Sequence, residues 1–169
     1  MPWFALHSDP LEYEPAPGVL LTTARATLRV EVGGQTWLRP QAVVDTGAPF
    51  SVISHTVATR IGAALTPLAV SNNPVPVSEG GVPAAPVPAG QILTWWDPIA
   101  RVSVPCVLAE VVVRLRRGAA VSGPLRVVAK VLQAPARPFR DLFVLFGVHV
   151  LTANAGRLHL DGQPWGLGG

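Results

Sequence analysis

Apolar and polar positions alternate over residues 26–32, with Ala26, Leu28, Val30 and Val32 on one side and Thr27, Arg29 and Glu31 on the other. A period of two predicts a half-buried strand, and Gly33-Gly34 supplies the turn that ends it. Ala42-Val43-Val44 is short and wholly apolar, which predicts a buried strand stopping at Asp45-Thr46-Gly47. Residues 50–53 continue as strand or turn into Ser54, a plausible cap for a short helix through Arg60 with Gly62 near its end. Further on, Val111, Val113 and Leu115 share one face of a strand over 107–115, and Leu125, Val127, Ala129 and Val131 share one face of another over 125–133. Residues 118–124 form the hairpin connection between them. The uninterrupted run Leu142-Phe143-Val144-Leu145-Phe146 predicts a central strand covered on both faces and ending at Gly147. A short helix over 148–155, a strand over 157–160 and a turn at Asp161-Gly162 complete the pattern.

Two regions resist this reading. Residues 1–18 hold four prolines and no period, so 1–25 reads as an extended N-terminal arm, with a single domain over 26–165. Residues 65–104 are broken by Pro74, Pro76, Gly80, Gly81, Pro83, Pro86, Pro88 and Gly90, and read as a long loop or hairpin. Ile92, Leu93, Trp95 and Trp96 nevertheless give it something to pack with, as a local core rather than a peptide-lined groove. No repeat of a solenoid period occurs.

Composition sharpens the fold class. The 169 residues are 49% hydrophobic and only 14% charged, which argues for a folded chain with one core. Eighteen prolines and sixteen glycines would interrupt long helices, so short strands joined by turns are expected, a mainly β chain. The net charge is +3, with Lys130 the sole lysine. Arg114, Arg116 and Arg117 alternate with apolar residues as the solvent face of a strand would, and a nucleic-acid surface would want a broader basic stripe. Cys106 is alone, which excludes an internal disulfide and favours a buried small hydrophobe. His7, His55, His149 and His159 lack metal-ligand spacing, so no metal or cofactor is expected. No apolar run reaches the ~18 residues of a membrane span, and the N-terminus lacks a basic segment followed by an apolar one, so a cytoplasmic location is the default.

The segment Ala42-Val43-Val44-Asp45-Thr46-Gly47-Ala48 carries the candidate chemistry. Asp, Thr and Gly are ordinary turn residues, but Phe143-Val144-Leu145-Phe146-Gly147, about a hundred positions later, forms a second element of interest. Together the two segments resemble aspartic peptidases of the retropepsin kind, in which an apolar strand runs into Asp-Thr-Gly-Ala and a later apolar strand ends in glycine. The resemblance covers residues 26–160 and implies a mainly β, acid-protease-like lobe closed into a β-barrel with one or two short helices.

What the resemblance implies for chemistry is an aspartic endopeptidase. Two carboxylates about 3 Å apart share one proton, so one activates a water while the other donates to the scissile carbonyl. Asp45 alone among the aspartates precedes Thr and Gly, and the chain is one lobe long, so the resemblance implies a homodimer in which each copy supplies one acid. Thr46 would bond across the two-fold and Gly47 would permit close backbone approach. Ala48 lacks the hydroxyl some relatives carry there, which is expected to move the pH optimum towards neutrality. Gly80 and Gly81 are the candidates for the flexible flap. The expected partner is a peptide or protein substrate, with neither nucleic acid nor membrane. Val148 and His149 stand where retroviral members carry an Arg-Asp or Arg-Asn pair, which leaves open a non-catalytic peptide-binding or dimerisation module of the same fold.

Overall fold

The computed structural model describes residues 4–45, 47–69, 88–97, 99–137, 140–150, 157–158 and 166–168. Along them run β1 (Phe4–Ala16), β2 (Val19–Leu28), β3 (Glu31–Gly33), β4 (Trp37–Leu38), β5 (Gln41–Asp45), β6 (Ser51–Ile53), α1 (His55–Ile61) and β7 (Leu65–Pro67). There follow β8 (Ile92–Asp97), β9 (Val102–Arg117), β10 (Ala120–Val121), β11 (Leu125–Leu132), β12 (Phe143–Gly147), β13 (Arg157–Leu158) and β14 (Gly166–Gly168). The protein is thus mainly β, as its proline and glycine content requires.

β9 is the spine. One of its edges carries β11 along residues 106–113 and then β10, while the other carries β8, β7 and β3 end to end. Its inward residues Ala109, Val111, Val113 and Leu115 are buried, as are Val127, Ala129 and Val131 facing the same way from β11. They share a core with Phe4 and Leu6 of β1, Ile53 of β6, Val57 and Ile61 of α1, and Val144 and Phe146 of β12. Strands far apart in the order β13-β14-β1-β2-β5-β12-β6-β11-β9-β3-β4 can share one core only because the sheet curls. A second cluster, with Val52, Val104, Cys106, Leu132, Ala136 and Phe143, lies on the opposite face of β12 and β6.

The helix follows from its spacing. Val57 and Ile61 stand four apart, both fully buried, and Gly62 ends the helix in the left-handed region at φ 59°. The N–H groups of Gln35 and Thr36 both donate to the Ile61 carbonyl, at 2.7 and 3.2 Å, which brings Gly34 hard against the helix end. A Cβ on Gly34 would lie 2.8 Å from that carbonyl oxygen.

Several expectations need correction. The sheet does not close into a barrel: among the described residues its path has two free ends. One end is the two-residue β4 and the other is held by β13 and β14, so neither offers the strand length that closure would need. The expected strand over 26–32 is two strands, because Ala26 to Leu28 pair with β5 whereas Glu31 to Gly33 pair with β9. Leu28, Val30 and Val32 stay buried through the change, so the chain turns a corner while keeping its inward face. Of the residues read as an arm, 4–25 run through the β1–β2 hairpin, whose second strand continues to Leu28, and 1–3 lie outside the described residues. Ser54 precedes α1 but its side chain makes no cap. Its hydroxyl instead donates to the Asp141 carbonyl at 3.3 Å and accepts the Phe143 N–H at 3.2 Å. The cap comes from Asp141, whose carboxylate accepts the Thr56 N–H at 2.9 Å and the Thr56 hydroxyl at 2.7 Å. The 65–104 region contains β7 and β8, while residues 70–87 lie outside the described residues. Of the helix expected over 148–155, only His149 and Val150 are described as helical.

Candidate active site

β12 lies between β5 and β6, parallel to the first and antiparallel to the second, although β5 and β6 are neighbours along the chain. The turn joining β5 to β6 must therefore pass over the end of β12, and Gly147, level with Asp45, is where it passes. A Cβ on Gly147 would lie 2.6 Å from the Ala48 and Phe50 carbonyl oxygens, so no side chain fits. The contact is bonded as well as close. The Gly147 N–H donates to the Ser51 hydroxyl at 3.0 Å, and the Val148 N–H donates to the Ala48 carbonyl at 2.9 Å.

Within the turn, the Ala48 N–H donates to the Asp45 carbonyl at 3.2 Å and the Gly47 N–H donates to the Asp45 carboxylate at 2.9 Å. The second bond orients the carboxyl without consuming its other oxygen, and Asp45 is exposed. Asp45, Gly47 and Ala48 thus lie together in one hydrogen-bonded turn. Thr46, Gly80 and Gly81 lie outside the described residues.

Asp45 lines a cavity of about 350 Å³. Its floor is Gln41, Val43, Phe143 and Leu145, side chains that point to one face because β5 and β12 pair in register. One wall is Leu11 with Arg25, and the other is Trp95, Ile99 and Arg137. The expectation that Trp95 serves a local core meets a double role. Its ring packs 5.9 Å from that of Phe143 in the second cluster and also lines the cavity, whereas Trp96 is 55% exposed.

The Trp95 wall is held by an ion pair the sequence reading missed. Arg137 donates to Asp97 through Nε at 2.6 Å and a terminal nitrogen at 2.9 Å, and its guanidinium stacks 4.3 Å above the Phe143 ring. Asp97 also accepts the N–H groups of Ile99 and Ala100, which shapes the tip of the β8–β9 hairpin. Burial works against ionisation of Asp97, but the Arg137 hydrogen bonds, the two backbone N–H groups and the Arg137 charge outweigh it and hold the carboxyl below its ordinary value. The only sequence signal was a charged residue closing an aromatic run, and its partner lies forty positions away.

The remaining candidates resolve structurally. Cys106 is fully buried, and desolvation pushes its thiol up against a smaller opposing effect of Lys130. Arg116 is no free cation: it forks onto Glu31 at 2.6 and 3.0 Å and stacks 4.4 Å over Trp37. Among the described residues no three His, Cys, Asp or Glu groups gather as metal ligands, and no helix is long and apolar enough to cross a membrane. Compared with protein-family models, curated proteins and solved structures, the chain matches none of them.

Proposed function

We propose that the chain is a retropepsin-like lobe and acts as an aspartic endopeptidase, with Asp45 from each of two copies forming the catalytic pair. The observation that carries this reading is an exposed carboxylate at the mouth of a mostly apolar cleft, on a turn braced by a glycine-ended strand. Among the described residues lining that cleft Asp45 is the one carboxylate, so a shared-proton pair is taken to need a second chain. In the dimer one Asp45 takes a proton from the attacking water while the protonated one donates to the substrate carbonyl. An extended peptide suits a cleft floored by strands and walled by Trp95 and Ile99.

Digestion of a denatured protein mixture tests this. Wild type should cleave it, and Asp45→Asn should lose about a thousandfold or more in rate, the scale of general acid–base catalysis. Equal rates for the two proteins, or no cleavage by wild type at any pH, would reject the protease; peptide binding retained without turnover would instead assign the fold to the non-catalytic alternative.

A further inference from the structure

β2 pairs with β5 only at Ala26↔Val44, Thr27↔Val43 and Leu28↔Ala42. One step further along, Arg25 comes level with Asp45, and both line the cleft. β2 then runs on past the acid to Val19, paired with β1 on one edge and, among the described residues, with nothing on the other. At ~3.3 Å per residue this overhang reaches roughly 20 Å beyond the end of β5.

The overhang is poorly covered for a strand. Every residue from Val19 to Ala24 is exposed, and Val19, Leu20 and Leu21 are 46%, 66% and 44% exposed in succession. A two-stranded ribbon without a third layer is marginal in water, and an apolar open edge invites pairing. The segment Val-Leu-Leu-Thr-Thr-Ala carries no charge, so two copies of it meet without repulsion in a chain whose net charge is +3.

We infer that this half of the β1–β2 hairpin is an arm that seats its apolar tip on a second copy of the chain. The inference rests on the dimeric reading of Asp45. If two acids meet within about 3 Å, the second copy stands against the strand end that the overhang passes, within the roughly 20 Å reach of the arm. Each cleft is then walled at Leu11 and Arg25 by the base of an arm whose tip is anchored on the other copy.

Sedimentation velocity of wild type against the double variant Leu20→Asp, Leu21→Asp tests the arm. The dimer dissociation constant should rise about tenfold or more, with the circular dichroism spectrum unchanged because both side chains are exposed. An environment-sensitive dye on Leu20→Cys, with Cys106 buried, should shift to the blue as concentration carries the protein from monomer to dimer. A wild-type dimer that ignores the double substitution and leaves the dye in water overturns the arm and leaves the dimeric protease standing. A chain that stays monomeric at every concentration overturns both. A dye that shifts only when unfolded substrate protein is added gives the surface to substrate and also overturns the inference.

Discussion

Gly147 lacks a side chain for a reason found in another part of the sequence. Its own strand would accept any small residue, but the Ala48 and Phe50 carbonyls of the Asp45 turn occupy the space a Cβ needs. Gly147→Ala must push that turn away and break the Val148 to Ala48 hydrogen bond, so unfolding in urea should show a loss of about 2–3 kcal/mol, the cost of overpacking a tight site. If the protease reading holds, the same variant should lose activity through displacement of Asp45, although Gly147 would touch no substrate; an alanine variant as stable as wild type would mean the turn is not braced there. Asp45 was legible as a candidate at a strand end because its context is local, an apolar strand followed by Asp-Thr-Gly. Asp141 was not legible, since its value as a cap for α1 depends on Thr56, 85 positions earlier.

At the scale of elements, the β8–β9 hairpin was the least legible part of the site. Trp95, Trp96 and Asp97 follow a proline- and glycine-rich stretch, and nothing local says that Arg137 will close over them. The Asp97 side chain is fully buried and Arg137 only 17% exposed, so Arg137→Met should cost about 3 kcal/mol by leaving a buried carboxylate unpaired. The pH dependence has a definite sign. Asp97 has its carboxyl lowered in the fold, so the stability it contributes is complete above the unfolded value near 3.9 and is lost as pH falls through the lower folded value. The stability difference between wild type and Asp97→Asn should therefore be flat from neutral pH down to about 4 and shrink in stronger acid. A difference that instead grew on acidification, followed by urea melts at stepped pH, would refute the pairing.

For the whole molecule, the proposed protease needs two copies to supply two acids. If each site takes Asp45 from two copies, mixing wild type with an equal amount of Asp45→Asn and allowing subunits to exchange leaves about a quarter of the dimers with both acids. Activity should then fall to about half that of the same amount of wild type alone at equal total wild-type chain. Activity proportional to wild-type chain, with no loss on mixing, would mean that one copy suffices. The open sheet matters here as well. Because among the described residues its path ends at β4 and β13 rather than closing, and because β2 overruns β5, the sheet there keeps strand edges that a closed barrel would have lost.

The local pattern of the sequence was enough to determine β5, β11 and β12, the two-turn helix α1 with its Gly62 stop, and the placing of Asp45 at a strand end, because burial on one face imposes a period and a turn needs particular residues. Only the tertiary structure decided that β12 inserts between β5 and β6, that the corner at Arg29 and Val30 sends one alternating run to two sets of partners, and that Arg137 meets Asp97. Those outcomes are long-range: each depends on which surfaces the curled sheet brings together, and a period of two is blind to the identity of the neighbouring strand.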